Sequence, residues 1–137
     1  MPHDPALVAE VQAWLKKARK DLDTAQYELR ADPPFADDAV FHAQQAVEKT
    51  LKGFLSWHQV PFRRTHNLVE LGGACCRIDP SLEDLLRRAA PLTEYAWRFR
   101  HPGDPEEATL EEAKDALSVA REVYEAALSR LPEEIRP

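Results

Sequence analysis

The sequence has few of the features that support β-strands and tight turns. It has only 4 glycines in 137 residues, and no segment alternates apolar and polar residues as a half-buried strand does. Alanine, leucine, glutamate and arginine are abundant, and these residues favour helices over strands and tight turns. We therefore predict an all-α protein. The length is that of one typical domain, and we expect residues 1–137 to form a single one.

Cysteine is scarce as well, and the two present, Cys75 and Cys76, are adjacent. Neighbouring cysteines bridge only with strain, and the chain offers no Cys-x-x-Cys spacing for zinc. We interpret both as buried or half-buried thiols in a reducing compartment. No apolar run approaches the roughly 18 residues of a membrane span, and the first residues lack the pattern of a signal peptide. We expect a cytoplasmic protein that makes no membrane contact.

Positive charge is in the minority, with 18 basic and 24 acidic residues and a formal net charge of −6. This balance gives no sign of a broad nucleic-acid-binding surface. Between residues 61 and 101, however, seven arginines accompany five acidic residues. That segment could meet phosphate, but its excess of positive charge is small, and an ordinary solvated surface of mixed charge is the favoured interpretation.

Apolar residues recur every 3 or 4 positions along most of the chain, which predicts helices. Capping residues and prolines indicate where the helices begin and end. They are expected from Pro5 to Arg30, from about Ala36 to Gln59, over a short segment after Asn67, from Pro80 to near residue 101 with a kink near residues 87–91 caused by Pro91, and onward from a cap at Asp104-Pro105. Short connections make neighbouring helices antiparallel. We predict an antiparallel up-and-down bundle of four long helices with one short extra helix in the middle connection.

Residues 41–52 of the second helix carry polar side chains at a spacing that solvation alone does not explain. They step by 3, 4 and 3 residues and so form one line beside the apolar face: His42, Gln45, Lys49 and Lys52. Such a line faces water, faces a partner or lines a site. Gln44 and Glu48 lie beside it, and we interpret them as a buried hydrogen-bonded pair that keeps helices in register.

Four groups of residues, taken together, resemble the HEPN domain family. They are Trp14 with Ala18-Arg19-Lys20-Asp21-Leu22, the stretch from Phe41 to Lys52, Thr65-His66-Asn67-Leu68, and Tyr95 before the Arg-x-Pro triplet at 100–102. The resemblance covers essentially the whole chain. It implies an all-helical bundle, frequently dimeric and often encoded beside a minimal nucleotidyltransferase in prokaryotic toxin-antitoxin or defence modules.

Several branches of the family are similar to metal-independent ribonucleases that use an arginine followed four to six residues later by a histidine. In that chemistry histidine moves the proton of a ribose 2′-hydroxyl, and arginine stabilises the charge on the phosphate. Here Arg98 and Arg100 lie too close to His101, and acidic residues stand at the required distance after Arg100. The resemblance therefore favours a non-catalytic protein, with a weak or degenerate ribonuclease using Arg100 and His101 as the alternative.

Metal binding is not expected, because His42, His66 and His101 lie on separate segments without the short spacing of metal ligands. We also predict no cofactor. A nucleotide or RNA phosphate would find donors in a dispersed basic set, Arg98, Arg100, His66 and Lys49.

A protein interface is the remaining use of these polar groups. Its candidates are His42, Gln45, Lys52 and Asn67, and the aromatic side chains of Trp57, Phe62 and Trp97 could join them. Asn67 also has a purely structural explanation as a helix cap. We predict a homodimer that partners a nucleotidyltransferase, with Tyr95 as the candidate acceptor if that partner modifies this protein.

Overall fold

In the computed structural model, which describes residues 3–100, 102–103 and 107–137, every regular element is a helix. The prediction of an all-α protein is confirmed. The helices in this part of the chain are α1 (Pro5–Arg30), α2 (Ala36–Trp57), α3 (Leu68–Ile78), α4 (Glu83–Ala89), α5 (Leu92–Arg100) and α6 (Leu110–Ser129), with 3-10 turns at Pro80–Leu82 and Glu133–Ile135.

Capping side chains explain where α1 and α3 begin. The carboxylate of Asp4 accepts a hydrogen bond from the amide of Ala6 at 3.0 Å, and proline occupies the first helical position. The side chain of Asn67 accepts from the amides of Val69 and Glu70. Both helix starts, at Pro5 and after Asn67, were predicted from the sequence and are confirmed.

The last helix begins later than predicted. The expected cap, Asp104-Pro105, lies outside the described residues, but α6 starts only at Leu110. The hydroxyl of Thr109 accepts from the amide of Glu112 at 3.0 Å, and the carboxylate of Glu112 accepts from the amide of Thr109 at 3.0 Å. This reciprocal capping box satisfies two otherwise unpaired amides, which is why the helix starts there.

The helix predicted from Pro80 to near residue 101 is divided into three pieces. A 3-10 turn precedes α4, and α4 ends at Ala89, two residues before Pro91. Because proline has no amide hydrogen, the backbone ladder cannot continue through it, and a new helix, α5, starts at Leu92. The predicted kink is therefore a break between two short helices.

The second helix is the centre of the packing, since α2 contacts α1, α3, α5 and α6. Helices α1 and α2 run in opposite directions, because residues that rise in number along α1 meet residues that fall in number along α2. The pairs are Trp14 with Lys52, Asp21 with Lys49, and Glu28 with His42. Gly53 allows a close approach here, since a Cβ at this position would lie 3.1 Å from the Cβ of Trp14.

The cysteines lie as the sequence predicted, with Cys75 buried and Cys76 partly buried on α3. Burial raises the pKa of the Cys75 thiol to about 12, and it also raises the pKa of Cys76. Both are therefore thiols at neutral pH. Among the described residues, no helix combines the length and the apolar character needed to cross a bilayer.

Candidate functional site

A buried carboxylate, Glu48, lies at the centre of the polar residues of α2. Its side chain belongs to a residue with only 3% of its surface exposed, and its oxygens contact three other polar groups. Oε2 accepts a hydrogen bond from Nζ of Lys52 at 3.1 Å. Oε1 lies 2.8 Å from Nδ1 of His66 and 3.4 Å from Nε2 of Gln44. Such partners are required, because a buried charge without them is strongly unfavourable.

Lys52 is enclosed by the fold, although the sequence presented it as an interface candidate. It is 6% exposed, and its ammonium lies 5.6 Å from the ring centroid of Trp14 and 5.9 Å from that of Phe62. Both distances fit cation–π attraction. Glu48 and these two rings therefore account for the charge of Lys52 within the protein itself.

The turn at residues 65–67 is fixed between α2 and α5 through the backbone of His66. The carbonyl oxygen of His66 accepts from Nε2 of Gln44 at 3.2 Å and from the hydroxyl of Thr93 at 3.5 Å. The same hydroxyl accepts from the amide of Leu68 at 3.2 Å. Segments far apart in the sequence, α2, this turn and the start of α5, are thus brought together at one place.

A cleft of about 370 Å³ opens where these three segments meet. Trp97 of α5 forms one wall and is 67% exposed, while the imidazole of His66, with a side chain 64% exposed, lies at the edge. The lining residues are Phe41, Gln44, Gln45, His66, Ala96, Trp97 and Pro102.

Two polar residues of the cleft retain hydrogen-bonding atoms without partners among the described residues. Gln45 donates from Nε2 to Oε1 of Gln44 at 2.7 Å, and its own Oε1 makes no hydrogen bond in this part of the chain. His66 uses Nδ1 toward Glu48. Because an ionised carboxylate only accepts, we assign the proton of the neutral ring to Nδ1, which leaves Nε2 as an acceptor at the cleft.

The other members of the predicted polar line face α1 and do not line the cleft. Nδ1 of His42 lies 2.6 Å from the carboxylate of Glu28, and Nζ of Lys49 lies 2.6 Å from that of Asp21. Both pairs are largely shielded from water and connect α2 to α1. The line therefore divides among three surroundings, with Gln45 alone lining the cleft.

The arginine group near the end of α5 is only partly described. The guanidinium of Arg98 lies 5.1 Å from the ring centroid of Tyr95 and 5.2 Å from that of Phe99, and these two rings stack on each other. Arg98 is not among the residues that line the cleft. The side chain of Arg100 and the whole of His101 lie outside the described residues.

A metal centre has no support in the described ranges, where no three His, Cys, Asp or Glu side chains are placed to hold an ion. The sequence did not single out Glu48 as a site residue, yet the spacing Gln44, Glu48, Lys52 places all three on one helix face and could have done so. The sequence also could not show that Phe41 and Trp97 share a cleft, because these residues lie on helices that are far apart in the chain.

A comparison with models of protein families finds a match that covers most of the chain. The family model of the HEPN domain matches residues 11–131. This range includes α2, the turn at 65–67 and α5, and therefore the whole cleft. Neither the comparison with curated proteins nor the comparison with solved structures finds a match.

Proposed function

Because the chain belongs to the HEPN domain family, we propose that it acts in the cytoplasm as a dimeric interaction partner of a nucleotidyltransferase, in a toxin-antitoxin or defence-type module. One observation carries this proposal: α5 exposes Trp97, at 67%, in the lining of the cleft, and Tyr95, at 38%, in the lining of a second cavity between α5 and α6. Exposed aromatic side chains next to a concavity are typical of protein interfaces, where they contribute much of the binding energy.

Binding is a better use of the described residues than catalysis. Lys49 and His42 are held by carboxylates of α1, and Lys52 is held by Glu48, so these groups stabilise the fold. The arginines at 98 and 100 also have the wrong spacing from His101 for the ribonuclease motif. A module that recognises a partner needs an exposed surface and no acid–base pair.

The helices form, in our proposal, one domain arranged as an antiparallel up-and-down bundle, with α4 and α5 together serving as one long helix and α3 as the short extra one. Opposite directions of α1 and α2 support this arrangement. Helices α1 and α6 also run in opposite directions in this arrangement. This is supported by the contact of Gln26 with Arg121 and by that of Gln12 with Glu134.

A nucleotide or RNA phosphate contact near His66, Arg98 and Arg100 is part of the proposal. His66 is exposed at the cleft, and the segment from 61 to 101 has more arginines than acidic residues. Lys49 contributes less than its sequence position indicated, because its ammonium already bonds to Asp21 at 2.6 Å.

The interface is tested by Trp97→Asp, with Tyr27→Asp as the matched control. Tyr27 is another strongly exposed aromatic residue, at 77%, and it lies on α1 away from the cleft. Light scattering after size exclusion is expected to find a dimer for the wild type and the control and a monomer for the Trp97 variant. Co-expression with a nucleotidyltransferase encoded beside this protein is expected to yield a complex. A monomeric wild type that binds no such enzyme contradicts the proposal.

The alternative, a weak metal-independent ribonuclease, is favoured by one observation, the pairing of His66 with the buried carboxylate of Glu48. Such a pair is the usual way to orient a histidine for proton transfer. Single-stranded RNA incubated with the protein in chelator tests it. Cleavage that is lost in Arg100→Ala and His101→Ala supports the predicted pair, whereas cleavage lost only in His66→Ala assigns the chemistry to the turn. We expect no cleavage.

A further inference from the structure

We infer that a groove between the last turns of α1 and the middle of α6 binds a compact dianion, a small-molecule phosphomonoester with an apolar organic group. This basic groove has a volume of about 420 Å³, and its described lining comes from α1 and α6 alone. It shares no residue with the cleft that Trp97 lines. The inference therefore goes beyond the proposed function and does not rest on it.

Three cations converge on the basic groove, and its described lining contains no carboxylate. Arg30 comes from the last turn of α1, and Lys114 and Arg121 come from α6. None of the three pairs with a carboxylate among the described residues, whereas Arg130, for example, is held by Asp79 at 2.7 Å. In a chain with a formal net charge of −6, this local excess of positive charge attracts an anion.

One of these cations is already fixed in position. Nη2 of Arg121 donates a hydrogen bond to Oε1 of Gln26 at 2.6 Å, across the two helices. A guanidinium has five N–H donors in one plane, and the other donors of Arg121 make no hydrogen bond among the described residues. Because a planar guanidinium bonds two phosphate oxygens at once, Arg121 can hold a phosphate with little further ordering.

The rest of the lining indicates what the anion is attached to. Leu117 is buried, Leu29 packs against the core, and both line the groove beside the exposed hydroxyl of Ser118. A phosphate on an organic group carries a charge of about −1.5 to −2 and three acceptor oxygens. These match the cations, while the organic group covers the leucines. The described lining has no aromatic side chain, so it offers no stacking face to a base.

Carboxylates at both ends of the groove limit the length of the ligand. Glu111 lies one turn before Lys114 on α6, and Glu125 lies one turn after Arg121. The two cations of α6 are two turns apart, about 10 Å at roughly 5.4 Å per turn. A polyanion such as RNA, or a phosphorylated peptide, would extend past the cations and meet these acidic residues. A small dianion would not, so we assign the groove to a small molecule.

Phenyl phosphate is the direct probe. It is titrated into the wild-type protein at low ionic strength, and binding is followed by calorimetry and by the amide shifts of an isotope-labelled sample. Shifts are expected in α1 and α6 around the groove and not in the cleft lined by Trp97. Phenyl sulfate has the same ring but a single charge, and it is expected to bind about fivefold to tenfold more weakly. Single-stranded RNA and a phosphoserine peptide are expected to bind more weakly than phenyl phosphate and not to displace it.

Two matched double variants locate the site. Arg30→Gln with Lys114→Gln removes two cations of the groove and is expected to weaken binding about tenfold. Lys17→Gln with Arg77→Gln removes the same two residue types from exposed positions outside the groove, and Arg77, like Arg30, lies in the last turn of its helix. This control is expected to bind within about twofold of the wild type, because distant charges are screened.

A third variant tests the geometry of the phosphate contact. Arg121→Lys keeps the charge but loses the planar fork, and it is expected to weaken binding about threefold to fivefold. Far-ultraviolet circular dichroism and urea unfolding show that each variant is folded.

Three outcomes overturn the inference. Phenyl phosphate does not bind at millimolar concentration, or both double variants weaken it equally, which would show a response to net charge alone, or RNA or the peptide displaces it. If the wild type is nevertheless a dimer that co-purifies with a nucleotidyltransferase, the anion site fails while the proposed function stands. If phenyl phosphate binds as described to a monomer without such a partner, the reverse holds.

Discussion

Toward α1, the polar side chains of α2 pair with carboxylates of that helix, with His42 bonded to Glu28 and Lys49 to Asp21, each at 2.6 Å. Toward α5, Gln45 keeps an acceptor without a partner among the described residues, and the opposite wall of the cleft is the exposed indole of Trp97. The α1 side of α2 therefore stabilises the fold, and the α5 side has the properties of a binding surface. Spacing along a helix identifies a polar line, whereas the neighbouring helix decides how each of its residues is used.

Glu48 lies between these two sides and gives the largest expected effect on stability. Glu48→Ala leaves the buried ammonium of Lys52 without its carboxylate, and it should lower the free energy of unfolding by about 3–5 kcal/mol. Urea unfolding measures this. The double variant Glu48→Leu with Lys52→Met removes both charges and should recover most of the loss. Glu83→Ala, which breaks an exposed pair with Arg87, is the control and should change little.

A double variant no more stable than Glu48→Ala alone would show that the pair is not the source of the effect. The stability loss would then come from the contact of Glu48 with His66 or from altered packing. The α1 and α5 sides of α2 would then be energetically coupled, although the contacts indicate that they are separate.

The closeness of α1 and α2 is tested by a pair of glycine substitutions. In Gly53→Ala the new Cβ would lie 3.1 Å from the Cβ of Trp14, which must then move away by a few tenths of an ångström. We expect a loss of about 2 kcal/mol, since overpacking outweighs the gain in helix propensity. Gly73→Ala meets no atom within 4 Å and should instead gain about 0.5–1 kcal/mol. Equal effects in thermal unfolding would contradict the tight packing of α1 on α2.

The ion pair of Asp21 with Lys49 should contribute less than the buried cluster. A double-mutant cycle with Asp21→Asn and Lys49→Met is expected to give a coupling energy of about 1.5 kcal/mol, because both groups are largely shielded from water. The same cycle on Arg19 and Asp23, an exposed pair 3.6 Å apart on α1, should give about 0.3–0.5 kcal/mol. A coupling energy near zero for Asp21 and Lys49 would mean that Lys49 remains available to bind phosphate, as the sequence predicted.

A third side of α2 packs on α3 and responds to pH through Cys75, whose Sγ lies 3.9 Å from the carbonyl oxygen of Leu51. Burial raises its pKa from the usual 9.0 to about 12, so the unfolded chain loses this proton at lower pH than the folded one. The stabilisation that the Cys75 thiol contributes is fully present below pH 9, and it decreases as the pH rises toward 12. Relative to Cys75→Ala, the wild type should lose about 1.4 kcal/mol between pH 7 and pH 10. Parallel pH profiles of the two proteins would contradict it.

Much of the fold could be predicted from local signals. The start of α1 at Pro5 and the cap of α3 at Asn67 follow from short-range hydrogen bonds that the residue types themselves make. The start of α6 was missed because Asp-Pro was preferred over the capping box formed by Thr109 and Glu112, which is an equally local signal. The interruption caused by Pro91 was predicted at the correct place. The sequence predicted a kink within one helix, whereas the structure has two separate short helices.

The candidate site was less predictable, for a physical reason. His42, Gln45, Lys49 and Lys52 belong to one line in sequence, but their surroundings depend on carboxylates and rings supplied by α1 and by the loop before α3. His66 was selected as a donor to phosphate, and in the folded protein its Nδ1 lies 2.8 Å from the carboxylate of Glu48. A hydrogen-bonding role of this kind depends on a partner 18 residues away.

By itself, the sequence determined the helical class, most of the helix ends and the family, because periodicity, caps and motifs are properties of neighbouring residues. Only the tertiary structure decided that Glu48 joins Lys52 to His66, and that Gln45, His66 and Trp97 line one cleft. Those contacts join side chains from separate segments. Their geometry follows from how the helices pack on α2, which no local pattern contains.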